Sequence, residues 1–218
     1  MSIDEVVRAL VVVGIFLLVA FPVHEFSHAF AAFRLGDSTA RWQGRLTLNP
    51  IVHFDPLGGT ILAISLLVAG FGIGWAKPTP VNPYNLRYGR RGEALVAFAG
   101  PISNLIMAIV VAIPLRLIHG NPSMWLTVTS NDAAFFVFEI AVTFVIVDVL
   151  LLIFNLLPIP PLDGWRALLG LVDARTAYSL RQFEQNGFIV LLLLIFIAPR
   201  FIGGLVGTLA GFLLGFPV

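Results

Sequence analysis

Apolar residues run through this chain in blocks long enough to cross a membrane, with polar residues gathered between them. A spanning helix needs about 20 mostly apolar residues. The first block runs from Val6 to Phe33 and carries His24-Glu25-Phe26-Ser27-His28 in its second half. It is too long for a signal-peptide core, and no small-residue cleavage site follows it. In the polar stretch from Arg34 to Pro56, Thr39 to Leu48 alternates loosely and predicts a strand or hairpin. Leu57 to Ala76 is apolar again but holds Gly58, Gly59, Gly70, Gly72 and Gly74. A Pro-, Asn- and Arg-rich loop from Lys77 to Arg91 precedes two strong spanning patterns, Ala94–Leu115 and Ala133–Leu157. A short polar helix is expected near Asp173 to Gln185, and Pro199-Arg200 divides the apolar stretch from Gly187 to Val218 into two short helices.

These elements predict an all-α polytopic membrane protein with about five to six membrane helices. One apolar segment, 57–76, is expected to be re-entrant or buried, and a small β-hairpin/loop insertion is expected at 38–56 and 75–83. Composition points the same way. Of 218 residues, 58% are hydrophobic and 11% charged, and the mean hydropathy is +0.95. Soluble domains carry about 25% charged residues, so a soluble fold of this size could not hide so much apolar surface. Disorder and coiled coil are excluded. A net charge of +1 gives no basic footprint for nucleic acid. The absence of cysteine excludes disulfides and thiolate metal sites. With no internal repeat, the chain reads as a single membrane-embedded domain over 1–218, with a core at 6–166 and C-terminal helices at 187–218.

His24-Glu25-Phe26-Ser27-His28 is an H-E-x-x-H pattern. Residues i and i+4 of a helix lie on one face, about 6 Å apart. Two imidazoles so placed can bind one zinc ion, and Glu25, one position along, can take a proton from the attacking water as general base. Titratable groups inside a membrane segment are functional by default. A catalytic zinc site takes three protein ligands, and the only other histidines, His53 and His119, lie in loops. Asp163 stands out in Asn155-Leu-Leu-Pro158-Ile-Pro-Pro161-Leu-Asp163-Gly164, where prolines end a spanning helix in a rigid non-helical segment. Such a segment is tolerated at membrane depth only against protein or water. On the residues alone, Asp163 is equally well read as a third ligand or as the cap of the helix that follows.

Three motifs in order resemble the site-2 protease family of intramembrane zinc metalloproteases: His24–His28, Gly100-Pro101-Ile102-Ser103-Asn104, and Asn155 to Gly164. Asn49-Pro50, His53-Phe54-Asp55-Pro56-Leu57-Gly58-Gly59 and Gly74-Trp75-Ala76-Lys77-Pro78 are similar to its small prokaryotic branch, which has neither a PDZ domain nor a CBS pair. The resemblance covers roughly Val19 to Arg166. It implies that His24, His28 and Asp163 bind one zinc ion per chain and that Glu25 activates water. It also implies that Asn155 positions substrate or steadies the transition state, a role an amide fills by donating to a developing oxyanion. The expected activity is hydrolysis of peptide bonds in or near transmembrane segments. The expected partners are the lipid bilayer and transmembrane or membrane-anchored proteins, with no nucleic acid. The rival reading is an inactive family member serving as a membrane scaffold, and the intact His24, Glu25, His28 and Asp163 speak against it.

A metal site also constrains topology. His24 and His28 lie late in the first helix and Asp163 just past the Ala133–Leu157 helix, so these two helices must run the same way. Leu57–Ala76 must then make no net crossing. Under this scheme Arg34, Arg41, Arg45, Lys77, Arg87, Arg90, Arg91, Arg166, Arg175 and Arg181 share one side, leaving Arg8 and Arg116 on the other. By the positive-inside rule the richer side is cytoplasmic. That places the N-terminus outside and the site nearer the cytoplasmic face of a multi-pass protein, in a prokaryotic cell membrane. Asp148, two helical turns before Asn155, should face the interior and make an interhelical hydrogen bond in a protonated state, support a ligand histidine or serve as a hydration site. Asn104 and Gly100 read as helix-packing residues, His53 and Asp55 as candidates to line the entrance, and Glu139 as a surface carboxylate without a role.

Overall fold

In the computed structural model, which describes residues 3–69 and 74–218, the chain folds into helices and loops, with no β-strand among the described residues. Helix α1 (Ile3–Ile15), a π-helical turn (Phe16–Ala20) and α2 (Phe21–Arg34) run on without a break, and Val6–Arg34 is long and apolar enough to cross a membrane. The π turn precedes Pro22, which has no N–H to give the helical ladder. Three short elements follow: α3 (Thr39–Trp42), α4 (Pro50–His53) and α5 (Pro56–Ala69). An extended segment at 74–82 leads to α6 (Arg90–Gly120), α7 (Pro122–Thr129) and α8 (Asp132–Asn155). After the proline-rich turn come α9 (Asp163–Leu171), α10 (Ala174–Arg181), α11 (Gly187–Ile197) and α12 (Pro199–Leu214), the last two divided at Pro199 as expected. Helices α6 and α8 are the other two long apolar spans, with α5 and α12 shorter apolar helices. The chain is thus an all-α multi-pass membrane protein.

The first span and α8 lie side by side and run the same way. Going along both, Arg8 pairs with Glu139 at 3.3 Å, Ile15 and Ala20 pack with Val147 and Leu151, and His24 meets Asp163. Helix α6 is antiparallel to both. Its Val96 packs with Ala32, its Asn104 bonds His24 and Asp148, and its Ala108, Ala112 and Leu115 join Phe138, Val145 and Val149 of α8. Helix α12 completes that cluster with Ile202, Val206, Ala210 and Leu214.

The ends of the 57–76 segment stand together: the Lys77 N–H donates to the His53 carbonyl at 2.9 Å. Helix α5 leaves this level, and by Gly74 the chain is beside Gly58 and Leu62 again. A Cβ at Gly58 would lie 2.1 Å from the Trp75 carbonyl oxygen. The glycines here therefore permit a close chain-to-chain approach rather than breaking the helix, which forms despite them. The expectation of no net crossing agrees with this pairing; residues 70–73 of the segment lie outside the described residues.

The expected hairpin at 38–56 is corrected. Thr39–Trp42 is a helical turn, and Asn49 caps a second turn at Pro50–His53 by accepting from the Ile51 N–H. The alternation of Thr39–Leu48 lost to local capping. Asp37 Oδ1 accepts from the Thr39 N–H at 3.0 Å and the Thr39 hydroxyl at 2.5 Å, which nucleates the first turn. The segment at 75–83 is extended but likewise joins no sheet. Arg45, buried, folds back to donate to the Val52 carbonyl.

Asp37 ties both loops together. Fully buried, it also accepts from the Asn82 N–H at 2.7 Å and the Asn85 amide at 3.1 Å. Burial alone would raise its pKa, but the bonds from Thr39, Asn82 and Asn85 outweigh it and hold the carboxyl below its ordinary value. A depressed folded pKa contributes stability that is fully present above the unfolded value, near 4, and is lost as pH falls through the folded value. Asp37→Asn is therefore expected to cost about 1–3 kcal/mol at pH 7, the usual penalty for unpairing a buried hydrogen-bonding group. Thermal unfolding in detergent at pH 7 and pH 3.5 checks this: the gap between wild type and variant should narrow on acidification, and an unchanged gap would contradict it.

Candidate metal centre

Helix α2 sets His24 and His28 one turn apart on its buried face, 2% and 6% exposed. The proline turn after α8, and then the first residue of α9, swing Asp163 onto the same point. Asp163 Oδ2 lies 3.0 Å from His24 Nε2 and 3.1 Å from His28 Nε2, and the two Nε2 atoms are 3.1 Å apart. Asp163 keeps 13% of its side chain exposed, whereas both imidazoles are nearly sealed. The alternative reading of Asp163 as a cap fails, since no side chain caps α9.

The chemistry of the donor set suits a cation. His28 Nδ1 faces the Val96 carbonyl at 2.7 Å. A carbonyl only accepts, so Nδ1 carries the hydrogen and Nε2 a lone pair. His24 Nδ1 faces Asn104 Oδ1 at 2.6 Å, and the same follows while the amide turns its oxygen to the ring. Two imidazole lone pairs and a carboxylate oxygen thus converge in an apolar bundle. Without a cation they repel one another. Tetrahedral zinc with bonds near 2.0–2.1 Å spaces its ligand atoms about 3.3 Å apart, so the observed spacing needs little adjustment. His24, His28 and Asp163 form a buried group of the kind that holds a metal ion.

Gly100 on α6 walls the group. A Cβ there would stand 2.4 Å from His28 Nε2 and 2.6 Å from His24 Nε2, so only a hydrogen fits. Glu25, 8% exposed, is held at two points by the extended segment. The Thr79 N–H donates to Glu25 Oε2 at 2.7 Å, and the Thr79 hydroxyl donates to the Glu25 carbonyl at 3.0 Å. One carboxylate oxygen is fixed by a backbone donor, and the other has no recorded partner.

The remaining candidates fall elsewhere. The Asn155 amide donates to the Leu151 carbonyl of its own helix at 3.1 Å, and no recorded hydrogen bond joins it to the His24, His28 and Asp163 group. His53, expected in a loop, is the buried last residue of α4, with Nε2 donating to the Thr47 carbonyl at 2.8 Å. Asp55 caps α5 through the Leu57 and Gly58 N–H groups. His119 stacks among Trp125 and Phe216. Glu139 is partnered by Arg8. Asp148, fully buried, makes the expected interhelical bond, accepting from the Asn104 amide at 2.6 Å. Sequence reasoning took Gly100 and Asn104 for packing residues, whereas both touch the imidazoles. Their signal was the Gly-Pro-x-x-Asn motif itself. Thr79 carried no signal, because it reaches Glu25 across 54 residues of chain.

Gly100→Ala follows as a test. In a helix interior alanine is favoured over glycine by about 0.5–1 kcal/mol, yet here its methyl group would push on the two imidazoles, an overpacking that costs about 1–3 kcal/mol. The variant is expected to fold with a modestly lowered melting temperature while its bound metal, measured by elemental analysis, falls far below the wild-type level. Full metal content in a folded Gly100→Ala protein would show that the group is not the metal site.

Comparison with known proteins agrees with this geometry. The family model described as "Peptidase family M50" matches residues 11–198. The chain is 45% identical over 183 residues to "Putative zinc metalloprotease YwhC" of Bacillus subtilis, covering 84% of this chain and 78% of that protein. It is 32% identical over 198 residues to "Putative zinc metalloprotease Rip2" of Mycolicibacterium smegmatis, covering 88% and 71%. The Mycobacterium tuberculosis protein of that name is 34% identical over 215 residues, covering 94% and 76%. No solved structure matches significantly. With a family match over most of its length and relatives aligned over most of theirs, the chain belongs to peptidase family M50, the site-2 protease family of membrane-embedded zinc metalloproteases.

Proposed function

We propose that this protein is an intramembrane zinc endopeptidase, one membrane-embedded unit with one zinc ion per chain, cleaving peptide bonds in or near the transmembrane segments of other membrane proteins. The observation that carries the reading is the convergence of His24 Nε2, His28 Nε2 and Asp163 Oδ2 within 3.1 Å, with both Nδ1 atoms engaged by acceptors. These three residues would hold the zinc. Bound there, zinc supplies a Lewis acid that polarises the scissile carbonyl and acidifies water.

The chain's own groups do the rest. Glu25 takes the proton from the attacking water and passes it to the leaving amine. Thr79 holds one Glu25 oxygen, so the free oxygen alone does proton work. Asn155 spends one amide hydrogen on Leu151; the second is available to a developing oxyanion after a small rotation. A substrate helix must unwind to expose a peptide bond. The extended segment at 78–81 runs past Glu25 and can receive the unwound strand. Pro78 and Pro80 have no N–H and the Thr79 N–H is given to Glu25, so such a strand is held mainly through carbonyl acceptors. The zinc site sits nearer the cytoplasmic face of a prokaryotic cell membrane, with the N-terminus outside, because ten of the basic residues fall on the side of the site.

Two experiments test this. Glu25→Gln is expected to lower cleavage of a model transmembrane substrate by about 10²–10⁴-fold while retaining zinc, whereas Asp163→Ala should lose the zinc. Cleavage unchanged in Glu25→Gln would end the reading. For orientation, the cysteine-free chain allows single cysteines at the exposed positions Tyr84 and Ser130. In intact cells a membrane-impermeant maleimide should label the Ser130→Cys protein and spare Tyr84→Cys; the reverse pattern would invert the topology.

A further inference from the structure

A ligand histidine serves only if its hydrogen sits on the nitrogen away from the metal. For His28 the main chain ensures this, because the Val96 carbonyl cannot donate. His24 has no such guarantee. Its Nδ1 faces a side-chain amide, Asn104, which presents either an accepting oxygen or a donating NH2 depending on how it is turned. Turned one way, Asn104 requires a hydrogen on Nδ1 and leaves a lone pair on Nε2. Turned the other way, it requires the hydrogen on Nε2, where it would stand between His24, His28 and Asp163.

Asp148 decides between the two. Its Oδ1 lies 2.6 Å from Asn104 Nδ2, and a carboxyl oxygen that carries no hydrogen only accepts. Asn104 must therefore point its NH2 at Asp148 and its oxygen at His24. The second oxygen of Asp148 is buried without a hydrogen-bond partner. Burying a carboxyl for one bond is costly, and a simple pin between α6 and α8 would be made as well by an uncharged residue. A carboxylate adds one thing, a fixed direction for the hydrogen bond. Among the described residues, α6, α8 and α2 bring no cation to it, so this direction is its distinguishing contribution.

We infer that Asp148 is a positioning residue for the metal centre: through Asn104 it fixes the tautomer of His24, presenting the Nε2 lone pair to the zinc. Partners that orient ligand histidines in this way change metal affinity by about 10–100-fold when removed. The inference rests on the zinc-site reading above and adds two residues, on two helices, to what sets zinc affinity.

The test is zinc affinity by chelator competition on the purified full chain, with zinc-free melting temperature measured alongside. Asp148→Leu keeps the shape, removes the acceptor and frees Asn104 to turn. Its zinc affinity is expected to fall by about 10–100-fold. The double variant Asn104→Asp with Asp148→Asn rebuilds the chain with the charge moved one residue along: the new carboxylate accepts from His24 Nδ1–H and from the new amide. It should bind zinc within a few-fold of wild type. Asp148→Leu with wild-type affinity, whatever its melting temperature, would reduce Asp148 to a packing residue. Should Asp148→Leu fail to fold, Asp148→Asn takes its place. Its amide can present either end to Asn104, so affinity drops modestly, and adding Asn104→Asp should restore it. A double variant weaker than that single one would overturn the inference. Wild-type protein without zinc affinity would instead sink the metal-site reading itself.

Discussion

Three electron-rich atoms meet inside an apolar bundle, and the rest of the molecule is arranged so that they can. His24 and His28 come from the second half of the first span, and Asp163 from the turn beyond α8. Their contact at 3.0–3.1 Å requires the two spans to be parallel and to bring those positions to one depth. Parallel neighbours separated by one antiparallel span, α6, leave no room for another crossing, so the apolar segment between α4 and the extended segment at 74–82 must return to its starting level. It does: Lys77 bonds His53. The demand for close approach then explains the small residues. Gly100 lets α6 reach the imidazoles, and Gly58 lets the returning chain reach α5.

The polar groups follow the same economy. Within hydrocarbon a polar group without a partner costs several kcal/mol, and those near the site are placed on one another, the second oxygen of Asp148 excepted. His28 rests on the Val96 carbonyl, His24 on Asn104, Asn104 on Asp148, and Glu25 on Thr79. Outside the spans, Asp37 plays the corresponding part for the loops, collecting bonds from Thr39, Asn82 and Asn85. Since Thr79 lies three residues before Asn82, Asp37 also secures the segment that holds Glu25.

What could be read from sequence divides along physical lines. The spans were legible because membrane thickness imposes a block length that hydrophobicity reports directly. The candidate ligands were legible because H-E-x-x-H spacing and a proline-bound Asp163 restrict the chemistry, and the family's motif order favours Asp163 as ligand over cap. That the two ends of 57–76 lie at one level followed from parity, not propensity. The hairpin at 38–56 was misread because alternation over ten residues is weak against an aspartate whose side chain bends the chain into a turn, as Asp37 does by accepting from Thr39. Gly100 was legible as a small residue but not as a wall of the site, since the reason lies in two imidazoles some seventy residues earlier. Thr79 was invisible for the same cause: its meaning is a contact, and no local pattern encodes it.

The central claim is that two imidazoles and one carboxylate of this chain hold a zinc ion within the membrane. Zinc K-edge X-ray absorption on the purified protein in detergent tests it most directly. The account expects a four- or five-coordinate zinc with scattering from two imidazole rings and the remainder from oxygen, and the loss of one imidazole contribution in His28→Ala. Protein that binds no zinc under conditions that prevent stripping, or a bound zinc whose imidazole scattering is unchanged in His28→Ala, would contradict it.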